Sequence, residues 1–175
     1  MALKINISPT LLMKLNIISS EYDIEIRGYL IGEIKNNEIY VKDILFSDQD
    51  ITKVSVVVNP IDQLNLRKKY GVEKVKQIIG QWHSHHKMGC FWSGTDEQNM
   101  TNVMKYRDVY IFIVSSNGKH LIRVSQSKPF RYDFNDCVLL IKSLSIDLMI
   151  IKINNIIKQN EEKKYNFDNT EVNEE

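Results

Sequence analysis

The sequence predicts a mixed α/β domain, and three observations carry that prediction. Two stretches, "EIRGYLIGEIKNNEIYVKDILFS" and "DVYIFIVSSNGKHLIRVSQ", are rich in β-branched and aromatic residues. Each is broken by a pair that tolerates positive φ, Asn36-Asn37 and Asn117-Gly118, as a hairpin requires. Segments that open on a capping residue or a proline and continue with helical apolar spacing lie between and around them. A further strand-like run, "KVKQIIGQWHSH", falls between two of those helical segments, so the elements interleave along the chain.

Taken in order, Ser8 is suited to cap a helix and Pro9 is pre-set for its first turn, so "TLLMKLNIIS" reads as a helix over about residues 8–22. The first hairpin follows, and "TKVSVVV" reads as another strand. Pro60 opens a helix through "IDQLNLRKKYG", with Gly71 as its stop. The strand "KVKQIIGQWHSH" then carries His83 and His85 at its end, and after an irregular stretch "SGTDEQNMTNVMKY" reads as a helix leading into the second hairpin. From Phe134 to Gln159 the pattern is mostly helical, although "CVLLI" fits a last strand equally well. The tail 161–175 holds six acids, two lysines and few apolar residues and is expected to be disordered, leaving a single domain over 1–160.

The 175 residues suit one globular domain with a real core. Lysine plus arginine number 23 against 22 acids, and a net charge of +1 gives no global attraction to nucleic acid or anionic lipid. The most apolar run, "CVLLIKSLSIDLMIIKINNII", is interrupted by Lys142, Asp147 and Lys152, each costly at the centre of a bilayer, so no membrane association is expected. Cys90 and Cys137 stand in no metal-finger or redox spacing, and "MALKINISPT" lacks the apolar core of a signal peptide. A cytoplasmic location is the expectation.

Three of the four histidines lie within "WHSHHKMGCFWSGTD". Side chains alternate along a strand, so His83 and His85 project to one face with Cα atoms roughly 6.7 Å apart, close enough for one metal ion to bridge them. His86 would point to the other face. Zinc with three protein ligands and one open position is the usual catalytic arrangement, and Asp96, in the first turn of the next helix, is placed to be the third ligand. Ser93-x-x-Asp96 is also a capping-box pattern, which by itself explains both residues. Cys90 reads as a buried small residue or as a fourth, inhibitory ligand. Trp82 and Trp92 read as core or as walls for an extended substrate, and "LRKKYGVEKVK" as a solvated helix face or a dock for an acidic partner.

The joint pattern H-S-H, seven residues, S-x-x-D, with the upstream Glu-x-x-Gly-x-x-x-Gly of residues 25–32, resembles the JAMM (MPN+ or JAB) metalloprotease family at every motif position. "MGCFWSGTD" is also similar to the M-G-C-x-x-S-G-x-D core of proteasome-lid and signalosome members. The resemblance covers roughly residues 8–125. His86, where the eukaryotic members usually have proline, departs from it, and the Asn-, Ile- and Lys-rich composition suggests a prokaryotic or phage-type member.

The resemblance implies a curved mixed β-sheet flanked by helices, of the cytidine-deaminase-like type. It implies zinc held by His83, His85 and Asp96, Glu25 as general acid/base, Ser93 as a donor to the oxyanion, and Ser84 as no more than a small packing residue. From the residues alone Glu25 has competitors in Glu21 and Glu33. It is Gly28 and Gly32, three and seven positions on, that favour it, since they match the family spacing and admit close approach of a neighbouring backbone. The activity implied is a zinc-dependent isopeptidase or peptidase acting after the C-terminal tail of a ubiquitin-like protein, with the tail paired to an exposed strand edge beside the metal. The segment from Asp96 to "DVYIFIVS" is too short for an insertion that clamps a second ubiquitin. The alternatives are a non-catalytic scaffold of the same fold, or a hydrolase of a small carrier-protein adduct or a viral precursor protein.

Overall fold

Alternating apolar residues and two tight turns produce a mixed sheet, here in a computed structural model that describes residues 4–22, 24–36, 38–46, 60–135 and 137–141. Its strands are β1 (Lys4–Ile7), β2 (Arg27–Lys35), β3 (Glu38–Leu45), β4 (Ile78–Ser84), β5 (Val109–Ser116), β6 (Lys119–Gln126), β7 (Tyr132–Phe134) and β8 (Val138–Ile141). The helices are α1 (Pro9–Glu21), α2 (Pro60–Tyr70), α3 (Val72–Lys76) and α4 (Gly94–Val103), with a 3₁₀ turn at His86–Met88. The strand order is β7-β6-β5-β4-β2-β3-β1-β8. All described residues fall in one compact unit, Met1–Lys142.

Helix α1 starts where the sequence predicts, with Ser8 Oγ accepting from Leu11 N at 3.1 Å. It buries Leu11, Leu15 and Ser19, one helical stripe, against the sheet face formed by Leu30, Ile39, Ile111 and Ile113. On the opposite face Leu66 of α2, Val75 of α3, and Met100 and Val103 of α4 pack on Ile31, Ile78, Tyr110 and Phe112. Strand β5 is therefore covered on both sides, and its first six residues, VYIFIV, are an unbroken apolar run, as expected of a central strand. Register irregularities interrupt β2 against β3 at Ile31/Gly32 and against β4 at Leu30/Ile31, and such bulges add bend and twist to the sheet. The architecture is the expected curved mixed sheet flanked by helices.

Both hairpins form, with Asn36 at φ 53° in the first turn and Asn117 and Gly118 at φ 48° and 72° in the second. Gly32 is required by its neighbour: a Cβ there would lie 1.9 Å from the Tyr40 carbonyl oxygen.

Several boundaries differ from expectation. Strand β1 was not anticipated. Its four residues gain their place by pairing in parallel with both β3 and β8. Gly71, at φ 85°, ends α2, but the chain re-enters a helical turn as α3, so β4 begins only at Ile78. The ambiguous "CVLLI" resolves as β8 over Val138–Ile141. The expected strand "TKVSVVV", the helix continuing to Gln159, the domain limit at 160 and the acidic tail lie outside the described residues. No helix among the described residues is long and apolar enough to cross a membrane.

Candidate metal centre

Strand β4 pairs with β2 on one side and β5 on the other, which fixes His83 opposite Arg27 and Val114. His85 lies one residue past the strand end, its amide donating to Ser115 O at 2.9 Å. The two rings converge, with Nε2 to Nε2 at 3.0 Å. Helix α4 presents Asp96 to the same point: Oδ1 lies 3.2 Å from His83 Nε2 and Oδ2 3.5 Å from His85 Nε2. Ligands on one tetrahedral zinc ion, with bonds of about 2.0–2.1 Å, are separated by about 3.3 Å; one ligand atom from each of the three residues lies within 4.8 Å of the others, so the donor set could hold such an ion. Among the described residues these three form the group that can hold a metal.

The two readings of Ser93-x-x-Asp96 both hold. Asp96 N donates to Ser93 Oγ at 3.1 Å and Ser93 N donates to Asp96 Oδ2 at 2.9 Å, a complete capping box. The Ser93 hydroxyl donates to the same Oδ2 at 2.6 Å, so its single proton is engaged and it orients Asp96. Asp96 is 4% exposed. Burial by itself would push its carboxyl up, but the hydrogen bond and charge of His83, with the Ser93 hydroxyl and amide, outweigh burial and hold it well below the usual carboxylate range. Burial, with the charge of His83 second, lowers the His85 pKa against the opposing pull of Asp96 and Glu25. A neutral His85 at pH 7 is the form a metal binds. His85 Nδ1 is buried with no partner in good hydrogen-bond geometry, the Gly89 backbone being the polar group that favours its protonated form, and the ring packs on Phe91 at 4.8 Å between centroids.

Glu25 lies before β2 rather than on it, with Oε1 4.0 Å from His85 Nε2 and Oε2 3.6 Å from Arg27. Its competitors are elsewhere: Glu21 ends α1, and Glu33 is exposed and paired with Lys42 at 3.3 Å. Trp82 is core, 1% exposed, with Nε1 donating to Ser115 Oγ at 2.7 Å. Trp92 instead stands beside the cluster, 6.2 Å from the His83 ring, with the Arg123 guanidinium 5.3 Å above it. Cys90 is half-buried, its thiol pushed up by burial and directed at Lys119 O at 3.1 Å, and it is not among the clustered ligand atoms. Among the described residues β4 has a neighbour on each side, so the strand that carries His83 offers no free edge of its own. Arg123 was not singled out from sequence: it joins β6 to the first turn of α4 through Glu97 at 2.7 Å, a pairing across 26 residues that no local pattern announces.

The fold and the clustered ligand atoms together define a JAB-type domain, and comparison with known proteins agrees. The sequence model for prokaryotic homologs of the JAB domain matches residues 15–128, more than half of the chain, and the chain belongs to that family. It is 33% identical over 101 residues to COP9 signalosome complex subunit 5 of Kluyveromyces lactis, covering 57% of this chain and 27% of that protein. It is 29% identical over 94 residues to the same subunit of Eremothecium gossypii, covering 53% and 22%. The matched region thus spans about a quarter of each relative's length. The solution structure of protein DSY2949 from Desulfitobacterium hafniense superposes with a TM-score of 0.53 over 80% of this chain and 95% of that one, at 13% identity, a likeness of fold.

Proposed function

We propose that the chain is a zinc-dependent isopeptidase or peptidase that hydrolyses the amide or isopeptide bond after the C-terminal tail of a ubiquitin-like protein. The observation that carries the reading is the meeting of His83, His85 and Asp96 with ligand atoms within 4.8 Å of one another and the Glu25 carboxylate at the margin. A zinc ion held by these three residues would supply Lewis acidity, making water nucleophilic near neutral pH and polarising the scissile carbonyl. Glu25 would take the water's proton and return it to the leaving amine. Ser93 orients Asp96 in the described geometry. To donate to the oxyanion its proton would have to leave Asp96 Oδ2.

Phe91, which is exposed, and the ring of Trp92 lie beside His85 and His83 and give the cluster an apolar margin suited to a narrow, extended peptide. Such a tail would run past the loop of residues 86–92.

The test begins with zinc. The parent should hold about one zinc per chain after dialysis and Asp96→Ala should lose it. A folded parent that takes up none even when zinc is added back removes the reading. A turnover screen of the zinc-loaded protein against ubiquitin-like fusions and short peptides then examines the substrate. Cleavage confined to small adducts would exclude a ubiquitin-like substrate.

A further inference from the structure

Glu25 stands outside the sheet, two residues before β2 opens at Arg27, so the ladder does not hold it. Extending the antiparallel register of Arg27 with His83 by one residue sets Ile26 opposite Ser84, and a facing pair of the hydrogen-bonded kind normally exchanges two backbone bonds. Only one is made between main chains, Ser84 N donating to Ile26 O at 2.9 Å. The other comes from a side chain: Ile26 N donates to Ser84 Oγ at 2.9 Å. The same hydroxyl donates to Ile24 O at 3.4 Å. Its oxygen and its proton therefore grip the main chain on both sides of Glu25. Ser84 is 0% exposed, so water does not compete for these bonds.

Taking the hydroxyl in place of the carbonyl lets the chain break away from β2 at this point. His85 turns its amide to Ser115 O and the 3₁₀ turn follows, while the Glu25 segment stays attached to the departing strand. An alanine at this position would fill nearly the same space but leave Ile26 N without its acceptor.

We propose that Ser84 is a positioning residue for Glu25, its hydroxyl clamping the 24–26 segment so that the Glu25 carboxylate faces the His83, His85 and Asp96 cluster. The inference rests on reading Glu25 as the proton-transfer group. One residue then sets both parts of the site, its backbone joining the two histidines and its side chain holding the glutamate.

The experiment compares the full chain with Ser84→Ala and Ser84→Thr, the second keeping a hydroxyl on a strand-compatible residue. Amide exchange at Ile26, followed by NMR, needs neither metal nor turnover: protection should be kept in the parent and the threonine variant and lost in the alanine variant. Equal protection in the alanine variant overturns the clamp. With zinc content equal in all three, kcat of the alanine variant should fall on the order of 10- to 100-fold with KM changed less than about twofold, and threonine should restore it. An unchanged kcat in the alanine variant, or loss of zinc along with turnover, overturns the positioning role. A parent that loads zinc but cleaves none of the fusions or peptides removes the peptidase reading instead, and the Ile26 exchange then decides the clamp alone.

Discussion

Glu25 shares its carboxylate between two neighbours, one oxygen 3.6 Å from Arg27 and the other 4.0 Å from His85, and neither is a close bond. A carboxylate in this state is available to a water molecule at the cluster. Replacing it with glutamine keeps shape and polarity but removes the proton acceptor, so Glu25→Gln should retain zinc while kcat falls by about 10²–10⁴. Retained turnover in a zinc-loaded variant would take Glu25 out of its role. The candidate ligands were legible in the sequence because their spacing is local: two histidines two apart, and an aspartate at a helix start. Ser84 was legible only as a small residue, because its bonds go to Ile24 and Ile26, roughly 60 positions away, and depend on a register that no local pattern encodes.

At the scale of elements, legibility followed length and end signals. Helix α1, helix α4 and both hairpins carry their own caps or turn residues, and they form where those signals stand. Strands β1 and β7 and helix α3 have three to five residues each and no such signals, and they exist because longer neighbours offer them pairing or packing. Two substitutions measure the local terms. Ser8→Ala removes the acceptor for Leu11 N and should cost about 1 kcal/mol. Gly32→Ala forces a Cβ onto the Tyr40 carbonyl, a backbone atom that cannot swing aside, and should cost about 3 kcal/mol or more. Urea midpoints at constant m-value read both, and a Gly32→Ala midpoint equal to the parent's would mean that β2 and β3 can separate at little cost.

For the molecule as a whole, the buried ionisable groups set a pH dependence. Burial, and then His83, lowers His85 from its usual 6.5, and burial does the same to His120. Between the lowered folded value and about 6.5 the unfolded chain binds more protons at these two positions, so stability rises with pH across that window and is lost on acidification. Asp96, depressed in the folded state, contributes stability that is present above its ordinary 3.8 and lost as pH falls through its folded value. The metal-free protein should therefore keep its urea midpoint from about pH 8 to 7, weaken as pH drops below about 6.5, and weaken again below about 4. A flat midpoint between pH 7 and 5 would contradict this. Zinc in hundredfold excess over its Kd should add about 2.7 kcal/mol at pH 7, and a chelator should reverse the gain in Tm.

Asp96 closes the first turn of α4 with the same carboxylate that it offers to the histidines. The capping role needs neither histidine, so the helix start would stand in a variant lacking both. The presence of Asp96 alone would then record folding rather than chemistry, and the His83–His85 pair is the feature that separates a candidate metal site from a helix cap.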